Sequence, residues 1–155
     1  MIKILFICHG NICRSPMAEF IMKKLVHDQG LDDQFEIASA ATSSEEIWNG
    51  KGNPVYPPAR EKLAEHGISC KGKTARQVTK ADYDYYDLLI AMDGHNMRNL
   101  RRMLGKDKAQ KIHMMMDYTD TPGDVADPWY TGNFAITWEN IYDGCTGLLN
   151  FLMEL

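Results

Sequence analysis

The chain has 155 residues and a formal net charge of −4, with 45% hydrophobic and 25% charged residues. This size and composition predict one soluble globular domain over residues 1–155, and the net negative charge argues against a nucleic-acid partner. No segment approaches the roughly 18 consecutive apolar residues of a membrane-spanning helix, so we expect no membrane partner.

The four cysteines, at positions 8, 13, 70 and 145, do not have the spacing of a secreted disulfide framework. An apolar run opens the chain, but it is too short for a signal peptide. The segment 9–11, His-Gly-Asn, follows that run without a small-residue cleavage pattern. We therefore expect a cytoplasmic protein whose thiols are reduced.

The first predicted element is a strand from Ile2 to Ile7, which is followed by Cys8, a short loop and a helix. Ser15 suits the N-cap of that helix, and Pro16 suits its first position, where a missing N–H is harmless. We expect Gly10 to permit a backbone conformation that a side chain would hinder. The N–H groups of the loop and of the first helical turn then point at one spot, which predicts an anion site.

The pattern C-x5-R-S adds a nucleophile to this anion site. The reactive form of Cys8 is the thiolate, which a helix N-terminus and a nearby arginine both stabilise. Arg14 can bind two phosphoryl oxygens at once, and the Ser15 hydroxyl can donate to the sulfur. A lone cysteine in a strand is usually a buried hydrophobe, so the interpretation depends on the whole pattern. The loop lacks the Gly-Lys-Ser/Thr ending of a nucleotide P-loop, and the spacing of Cys8, His9 and Cys13 does not favour a metal.

The remaining predicted elements alternate between helices and strands. Helices are expected at 17–29, 59–66, 93–103 and 132–155, strands at 35–41, 86–92 and 110–116, and irregular segments at 42–58, 68–82 and 117–131. This alternation predicts an α/β fold with a four-stranded parallel sheet flanked by helices on both faces. Since ligands bind beyond the carboxyl ends of parallel strands, we expect the segments after each strand to gather around the Cys8 loop.

The segment after the fourth strand carries a candidate acid. We prefer Asp127 to the other aspartates of this segment, because Pro128 stiffens its backbone and two aromatic residues follow. Trp129 and Tyr130 can exclude water and stack on a substrate ring. A phenol has a pKa near ~10, so an acid that protonates the departing oxygen can accelerate its release by roughly 10²–10⁴. Asp-Pro alone would indicate only a turn.

The segment 8–16, Cys-His-Gly-Asn-Ile-Cys-Arg-Ser-Pro, resembles the signature of low-molecular-weight protein tyrosine phosphatases. Other segments resemble the landmarks of this family in the same order, at 39–42, 66–68, 75–77, 87–93 and 127–130. The resemblance implies hydrolysis of phosphotyrosine without a cofactor or metal. It implies that Cys8 is the nucleophile, that Arg14 binds the phosphate and that Asp127 is the general acid.

The resemblance also implies supporting roles for other residues. The phosphate-binding residues would be His9, Gly10, Asn11, Ile12, Cys13, Arg14 and Ser15. Asn11, Ser15, Ser39 and His66 would hold the loop open. The substrate ring would contact Ile12, Trp48, Trp129 and Tyr130. Similar proteins that favour phosphoarginine tend to have threonine in place of Ile12, and Trp48 is either a wall of the pocket or part of the core.

Several alternatives stay open from the sequence. Cys13 is either a buried filler or the partner of Cys8 in a reversible disulfide. An arsenate reductase would need more closely spaced cysteines than Cys70 and Cys145, and a phosphopeptide-binding module would need neither nucleophile nor acid. We expect a phosphotyrosine-containing protein as substrate, inorganic phosphate as product, and a monomer or weak homodimer.

Overall fold

The computed structural model of the protein describes residues 1–154. Its strands are β1 (Ile2–Cys8), β2 (Phe35–Ala41), β3 (Ile47–Trp48), β4 (Lys51–Gly52), β5 (Leu88–Ala91) and β6 (Ile112–Met114). Four of them form a parallel sheet in the order β2-β1-β5-β6, and β3 and β4 form a separate antiparallel hairpin. The predicted four-stranded parallel sheet is confirmed, and the hairpin lies in a segment that we expected to be irregular.

The described part of the chain has helices α1 (Arg14–Asp28), α2 (Pro57–Glu65), α3 (Lys80–Tyr85), α4 (Gly94–Leu104), α5 (Pro128–Thr131) and α6 (Phe134–Met153). Helix α3 was not predicted, because six mostly polar residues show little periodicity. A capping box between Thr79 and Asp82 was the signal for it in the sequence. The predicted end of the last helix, Leu155, lies outside the described residues. None of the described helices is long and apolar enough to cross a membrane.

Strand β1 is buried on both faces, which explains its nearly continuous apolar sequence. Ile4 and Phe6 belong to the core that contains residues of α1 and α6. Leu5 and Ile7 point the other way and join a second core with Leu100 of α4. Helices therefore cover both faces of the sheet, as predicted.

The register of the strands brings their carboxyl ends to one edge of the sheet. Cys8 pairs with Ala41 of β2, Ile7 pairs with Ala91 of β5, and Ala91 pairs with Met114 of β6. The loops that follow these strands therefore begin side by side.

Candidate active site

The loop after β1 turns sharply into α1. Helix α1 begins at Arg14 with Cys13 as its N-cap, so the predicted N-cap Ser15 and first position Pro16 lie two residues further into the helix. Proline is tolerated there because no N–H of the first helical turn has an intrahelical partner. The left-handed residue of the loop is Asn11, with φ of 60°, and not Gly10. Gly10 does not have a positive φ, but a Cβ at this position would lie only 3.2 Å from Glu46 Cγ, so a side chain would be crowded there.

Cys8 lies at the base of this loop, and the residue is 4% exposed. The backbone N–H of Asn11 donates to Cys8 Sγ at 3.3 Å, and Ser15 Oγ lies 3.0 Å from the same sulfur. The carbonyl groups of Cys8 and His9 accept hydrogen bonds from the N–H groups of Thr42 and Ser43, at 2.9 and 3.0 Å. The loop is thus fixed to the exit of β2.

The side chain of Asn11 connects the loop to its surroundings through three hydrogen bonds. Its Nδ2 donates to Ser15 Oγ at 2.8 Å and to Ser39 Oγ at 2.9 Å, and its Oδ1 accepts from the N–H of Arg76 at 3.1 Å. Ser15 Oγ accepts from Asn11 and from the Cys8 thiol, so its own proton is free to be donated to the sulfur when Cys8 is a thiolate. Asn11, Ser15 and Ser39 are buried, at 1%, 0% and 0% exposure.

The network continues beyond Ser39 to a buried carboxylate. The Ser39 hydroxyl donates to Glu19 Oε1 at 2.6 Å. Lys73 Nζ lies 2.9 Å from Glu19 Oε1 and donates to the Ser39 carbonyl at 3.1 Å. Burial alone would raise the pKa of Glu19, but Lys73, Lys23 and Ser39 outweigh it and lower that pKa below its ordinary value. Glu19 therefore stays ionised and orients the Ser39 hydroxyl.

The prediction that His66 supports the loop is wrong. His66 is an exposed residue at the end of α2, and its ring stacks on Trp138 of α6 with centroids 3.9 Å apart. It makes none of the hydrogen bonds of the Asn11 network within residues 1–154. Glu19 and Lys73 extend the network instead, and neither was predicted. Both are long charged side chains, whose burial depends on packing between distant segments and leaves no local sequence signal.

Arg14 lies in the first turn of α1 and is 4% exposed. Its guanidinium lies 2.9 Å from Asp93 Oδ2 and 3.5 Å from Asp127 Oδ2, and it donates to the Val125 carbonyl at 3.1 Å. Burial alone would lower the pKa of Arg14, but the Cys8 sulfur, Asp93 and Asp127 together raise it. Arg14 is therefore a permanent cation beside the thiol.

Asp93 and Asp127 reach Arg14 from two different loops, as the gathering of strand ends predicts. Asp93 follows β5 and caps α4, because its Oδ1 accepts from the N–H of Asn96 at 2.7 Å. The sequence predicts a helix that starts at Asp93, and the contact of this residue with Arg14 is an additional role. Asp127 caps α5, because its Oδ1 accepts from the N–H of Trp129 at 3.0 Å, while its Oδ2 faces Arg14.

These groups line a cavity of about 520 Å³. The lining residues are Cys8, His9, Gly10, Ile12, Cys13, Arg14, Glu45, Glu46, Asp93, His95, Asn96, Asp127, Trp129 and Tyr130. Asn11 and Ser15 lie beneath this lining, in the buried network. Trp129 packs on Tyr56 with ring centroids 4.8 Å apart, which holds one aromatic wall in place.

Trp48 is neither a wall of the pocket nor part of the core, so both predicted roles are wrong. Trp48 is on β3 and is 79% exposed, because the hairpin turns it toward solvent. Glu45 and Glu46 of the same segment line the cavity instead. The Glu45 carboxylate lies 2.9 Å from His9 Nε2, and Glu46 accepts from the side-chain amide of Asn53 at 2.7 Å.

Cys13, the second cysteine of the loop, is also buried. Burial, and then the nearby Cys8 sulfur, raises the pKa of the Cys13 thiol well above its ordinary range. Cys13 is therefore a protonated thiol next to the candidate nucleophile. Within residues 1–154, no cluster of three or more His, Cys, Asp or Glu residues is arranged to hold a metal ion.

Comparisons with known proteins agree with this geometry. A sequence model described as low molecular weight phosphotyrosine protein phosphatase matches residues 3–155. The low molecular weight protein-tyrosine-phosphatase YfkJ of Bacillus subtilis is 42% identical over 151 residues, which cover 96% of this chain and 94% of YfkJ. The human low molecular weight phosphotyrosine protein phosphatase is 35% identical over 154 residues, which cover 98% of this chain and 94% of the human protein. The crystal structure of YfkJ superposes with a TM-score of 0.93 at 40% identity, covering 99% of this chain and 96% of that structure.

Proposed function

The chain belongs to the low molecular weight phosphotyrosine protein phosphatase family, and we propose that it hydrolyses phosphotyrosine monoesters through a phosphocysteine intermediate. Cys8 is the nucleophile, Arg14 binds the phosphoryl group, and Asp127 is the general acid and base. One observation carries the proposal: Cys8, Arg14 and Asp127 line the same cavity, with the Asp127 carboxylate 3.5 Å from the Arg14 guanidinium.

The first step transfers the phosphoryl group to sulfur. The substrate enters as the dianion, and its oxygens bind Arg14 and the backbone N–H groups of residues 9–14. The Ser15 hydroxyl, 3.0 Å from the sulfur, donates to the Cys8 thiolate. The thiolate attacks phosphorus in line, so that the S–P bond forms as the P–O bond to the tyrosine oxygen breaks.

Asp127 supplies the proton that this step requires. Its carboxyl group enters protonated and transfers the proton to the departing oxygen, so that tyrosine leaves as a neutral phenol. Trp129 and Tyr130 line the same cavity and provide uncharged aromatic surface for the substrate ring.

The second step releases phosphate. The Asp127 carboxylate removes a proton from a water molecule, which attacks the phosphorus of phosphocysteine. The S–P bond breaks, the Cys8 thiolate is restored and inorganic phosphate leaves. Arg14 and the loop N–H groups balance the negative charge in both steps, so the proposed chemistry requires neither a metal nor a cofactor.

The proposal is tested by the hydrolysis of phenyl phosphate, with and without EDTA, by the reduced wild type, Cys8→Ser and Asp127→Ala. We expect activity that is insensitive to EDTA, no detectable activity in Cys8→Ser, and a decrease of roughly 10²–10⁴ in Asp127→Ala. Asp120→Ala is the matched control, since Asp120 is an exposed aspartate of the same loop region. Full activity in Cys8→Ser would refute the mechanism.

If the reduced wild type were inactive, the loop would bind an oxyanion for another purpose. Arsenate-dependent oxidation of thiols would then support the arsenate reductase alternative. Phosphopeptide binding without turnover would support a binding module.

We also propose the setting in which the enzyme acts. The substrate is a phosphotyrosine-containing protein and the product is inorganic phosphate. The reduced state of Cys8 that the mechanism requires favours a cytoplasmic location. The chain acts as one domain, as a monomer or a weak homodimer, without a nucleic-acid or membrane partner.

A further inference from the structure

A stripe of cationic side chains runs along α4 away from the cavity. His95 lines the cavity, and Arg98 and Arg102 follow it three and seven positions later, on the same face of the helix. Both arginines are exposed. Exposed Arg101, Lys106 and Lys108 add further positive charge at the far end of the stripe. We call Arg98, Arg101 and Arg102 the α4 arginines.

Among the α4 arginines, Arg98 lies near Gly94, whose N–H donates to the exposed Asp124 carboxylate. None of the α4 arginines belongs to an ion pair in residues 1–154, whereas Lys23, Lys24, Lys62 and Lys73 each pair with a carboxylate. Cations in the last turn of a helix are stabilised by the helix dipole, which applies to Arg101 and Arg102. Arg98 lies before that turn. A group of unpaired cations is notable in a chain whose net charge is −4.

The rim of the cavity is acidic on the side of Glu45 and is followed by the α4 arginines on the side of His95. Glu45 lies 2.9 Å from His9 Nε2, and the ring of His9 lies 6.2 Å from that of His95, measured between centroids. His9 therefore stands between an acidic side of the rim, at Glu45, and the start of the α4 stripe. A substrate segment that leaves the cavity past His95 meets the three arginines and one exposed carboxylate, Asp124, at the start of α4, whereas one that leaves past Glu45 meets only negative charge.

We propose that the α4 arginines bind acidic residues that flank the phosphotyrosine of the protein substrate. This inference rests on the proposed function, and it identifies the substrates as phosphotyrosines in acidic segments. A helix rises ~1.5 Å per residue and an extended peptide advances ~3.3 Å per residue, so Arg98 and Arg102 lie roughly 4 to 11 Å along the helix from His95. Acidic residues about one to three positions from the phosphotyrosine would reach them.

The test compares peptides that differ only in their flanking residues. Phosphotyrosyl peptides carry three Asp, three Ser or three Lys residues at positions one to three, before or after the phosphotyrosine. We expect the wild type to show a kcat/KM roughly five-fold higher for one acidic peptide than for the corresponding Ser peptide at low ionic strength. The preference should disappear in 0.5 M NaCl, because salt screens exposed charges.

Two matched variants locate the source of the preference. Arg98→Gln/Arg102→Gln removes two charges of the stripe. Lys71→Gln/Lys80→Gln removes two exposed charges elsewhere and gives the same net charge. For each variant, kcat/KM for the acidic peptide is divided by kcat/KM for phenyl phosphate, which has no flanking residues. We expect this ratio to fall about five-fold in the arginine variant and to match the wild type in the lysine variant.

The outcomes separate this inference from the proposed function. If the wild type does not hydrolyse phenyl phosphate, the proposed function fails. If it hydrolyses phenyl phosphate but treats acidic and Ser peptides alike, the docking inference alone is overturned. An equal fall of the ratio in both variants also overturns it, and so does binding to anionic lipid vesicles without any peptide preference.

Discussion

At Asn11, one side chain shapes the loop and donates a hydrogen bond to the Ser15 hydroxyl that faces Cys8. Asparagine tolerates the left-handed conformation better than most residues with a side chain, which suits its φ of 60°. Its amide then leaves the Ser15 proton available to the Cys8 thiolate. The sequence predicted that Asn11 and Ser15 support the loop, through the resemblance of segment 8–16. It did not predict that Asn11, rather than Gly10, adopts the special conformation, because both residues suit such positions.

Cys13 is expected to protect the nucleophile from irreversible oxidation. Peroxide would oxidise the Cys8 thiolate to a sulfenic acid, and the Cys13 thiol would condense with it, forming a disulfide and releasing water. After prolonged peroxide treatment, which oxidises an unprotected sulfenic acid to the irreversible sulfinic acid, we expect dithiothreitol to restore most of the wild-type activity but little of the activity of Cys13→Ser. The readout is the recovered hydrolysis of phenyl phosphate together with mass spectrometry of the Cys8–Cys13 peptide pair.

The control for this prediction is Cys70→Ser. Cys70 is buried against a different cavity and should not affect recovery. Equal recovery in Cys13→Ser and the wild type, or the absence of a Cys8–Cys13 linkage, would contradict a protective role.

Between elements, the Asp93 carboxylate connects α4 to the first turn of α1. One of its oxygens caps α4 and the other lies 2.9 Å from the Arg14 guanidinium. The N-cap was predictable, because an aspartate preceded a helical pattern. The contact with Arg14 was not predictable, because it depends on the distance between two loops at the sheet edge. The helix α3 was missed for a different reason, since its capping box is the main signal in a short polar segment.

Asp93→Asn separates the two roles of this residue. Asparagine caps helices about as well as aspartate, so the melting temperature should change little. Arg14 loses a charge-assisted hydrogen bond, which is worth about 1.5–3 kcal/mol, so we expect kcat/KM for phenyl phosphate to fall at least roughly ten-fold. Enzyme kinetics and thermal melts of the same preparation measure both effects.

Asp124→Asn is the matched control for this change. Asp124 also accepts a hydrogen bond at the start of α4, from the N–H of Gly94 at 3.0 Å, but it is exposed and does not contact Arg14. A loss of activity in Asp124→Asn equal to that in Asp93→Asn would show that the contact with Arg14 is not the cause.

Across the whole molecule, the parallel sheet explains why residues far apart in sequence meet at one cavity. The alternation of strands and helices predicted this gathering, so the segments that contain Ser39, Asp93 and Asp127 were expected near Cys8. The pattern of apolar residues does not predict which charged side chains are buried. Glu19 and Lys73 join α1 to the segment before α3 through a single ion pair, and no local pattern distinguishes them from exposed charges.

The ionised state of Glu19 should contribute to the stability of the whole fold. Its pKa is lowered in the folded protein from an ordinary value of 4.5, so the folded state holds the proton less tightly than the unfolded state does. Its contribution is therefore complete above pH 4.5 and is lost as the pH falls through the lower folded value. We expect Glu19→Gln to cost about 2 kcal/mol at pH 7, and the difference from the wild type to narrow toward pH 3.5.

Urea denaturation at several pH values measures this difference. The matched control is Glu65→Gln, which removes a carboxylate that is 61% exposed and pairs with Lys62. An exposed pair contributes little, so this variant should follow the wild type at every pH. If the difference between Glu19→Gln and the wild type stayed constant with pH, the stabilising role of the Glu19 charge would be wrong.

Because Cys145 is fully buried, the rate at which its thiol is labelled reports how often the protein core opens. This thiol has no exposed surface, and its Sγ donates to the Ala18 carbonyl at 3.6 Å, where α6 packs on α1. A thiol reagent can reach it only when these two helices separate, so its labelling rate measures how often the core opens. The Cys8 thiol, by contrast, lines the cavity and can be modified while the core stays closed. Pulse labelling of the two thiols in one sample would therefore measure two separate rates. The Cys8 rate reports the accessibility of the cavity, and the Cys145 rate reports transient separation of α1 and α6.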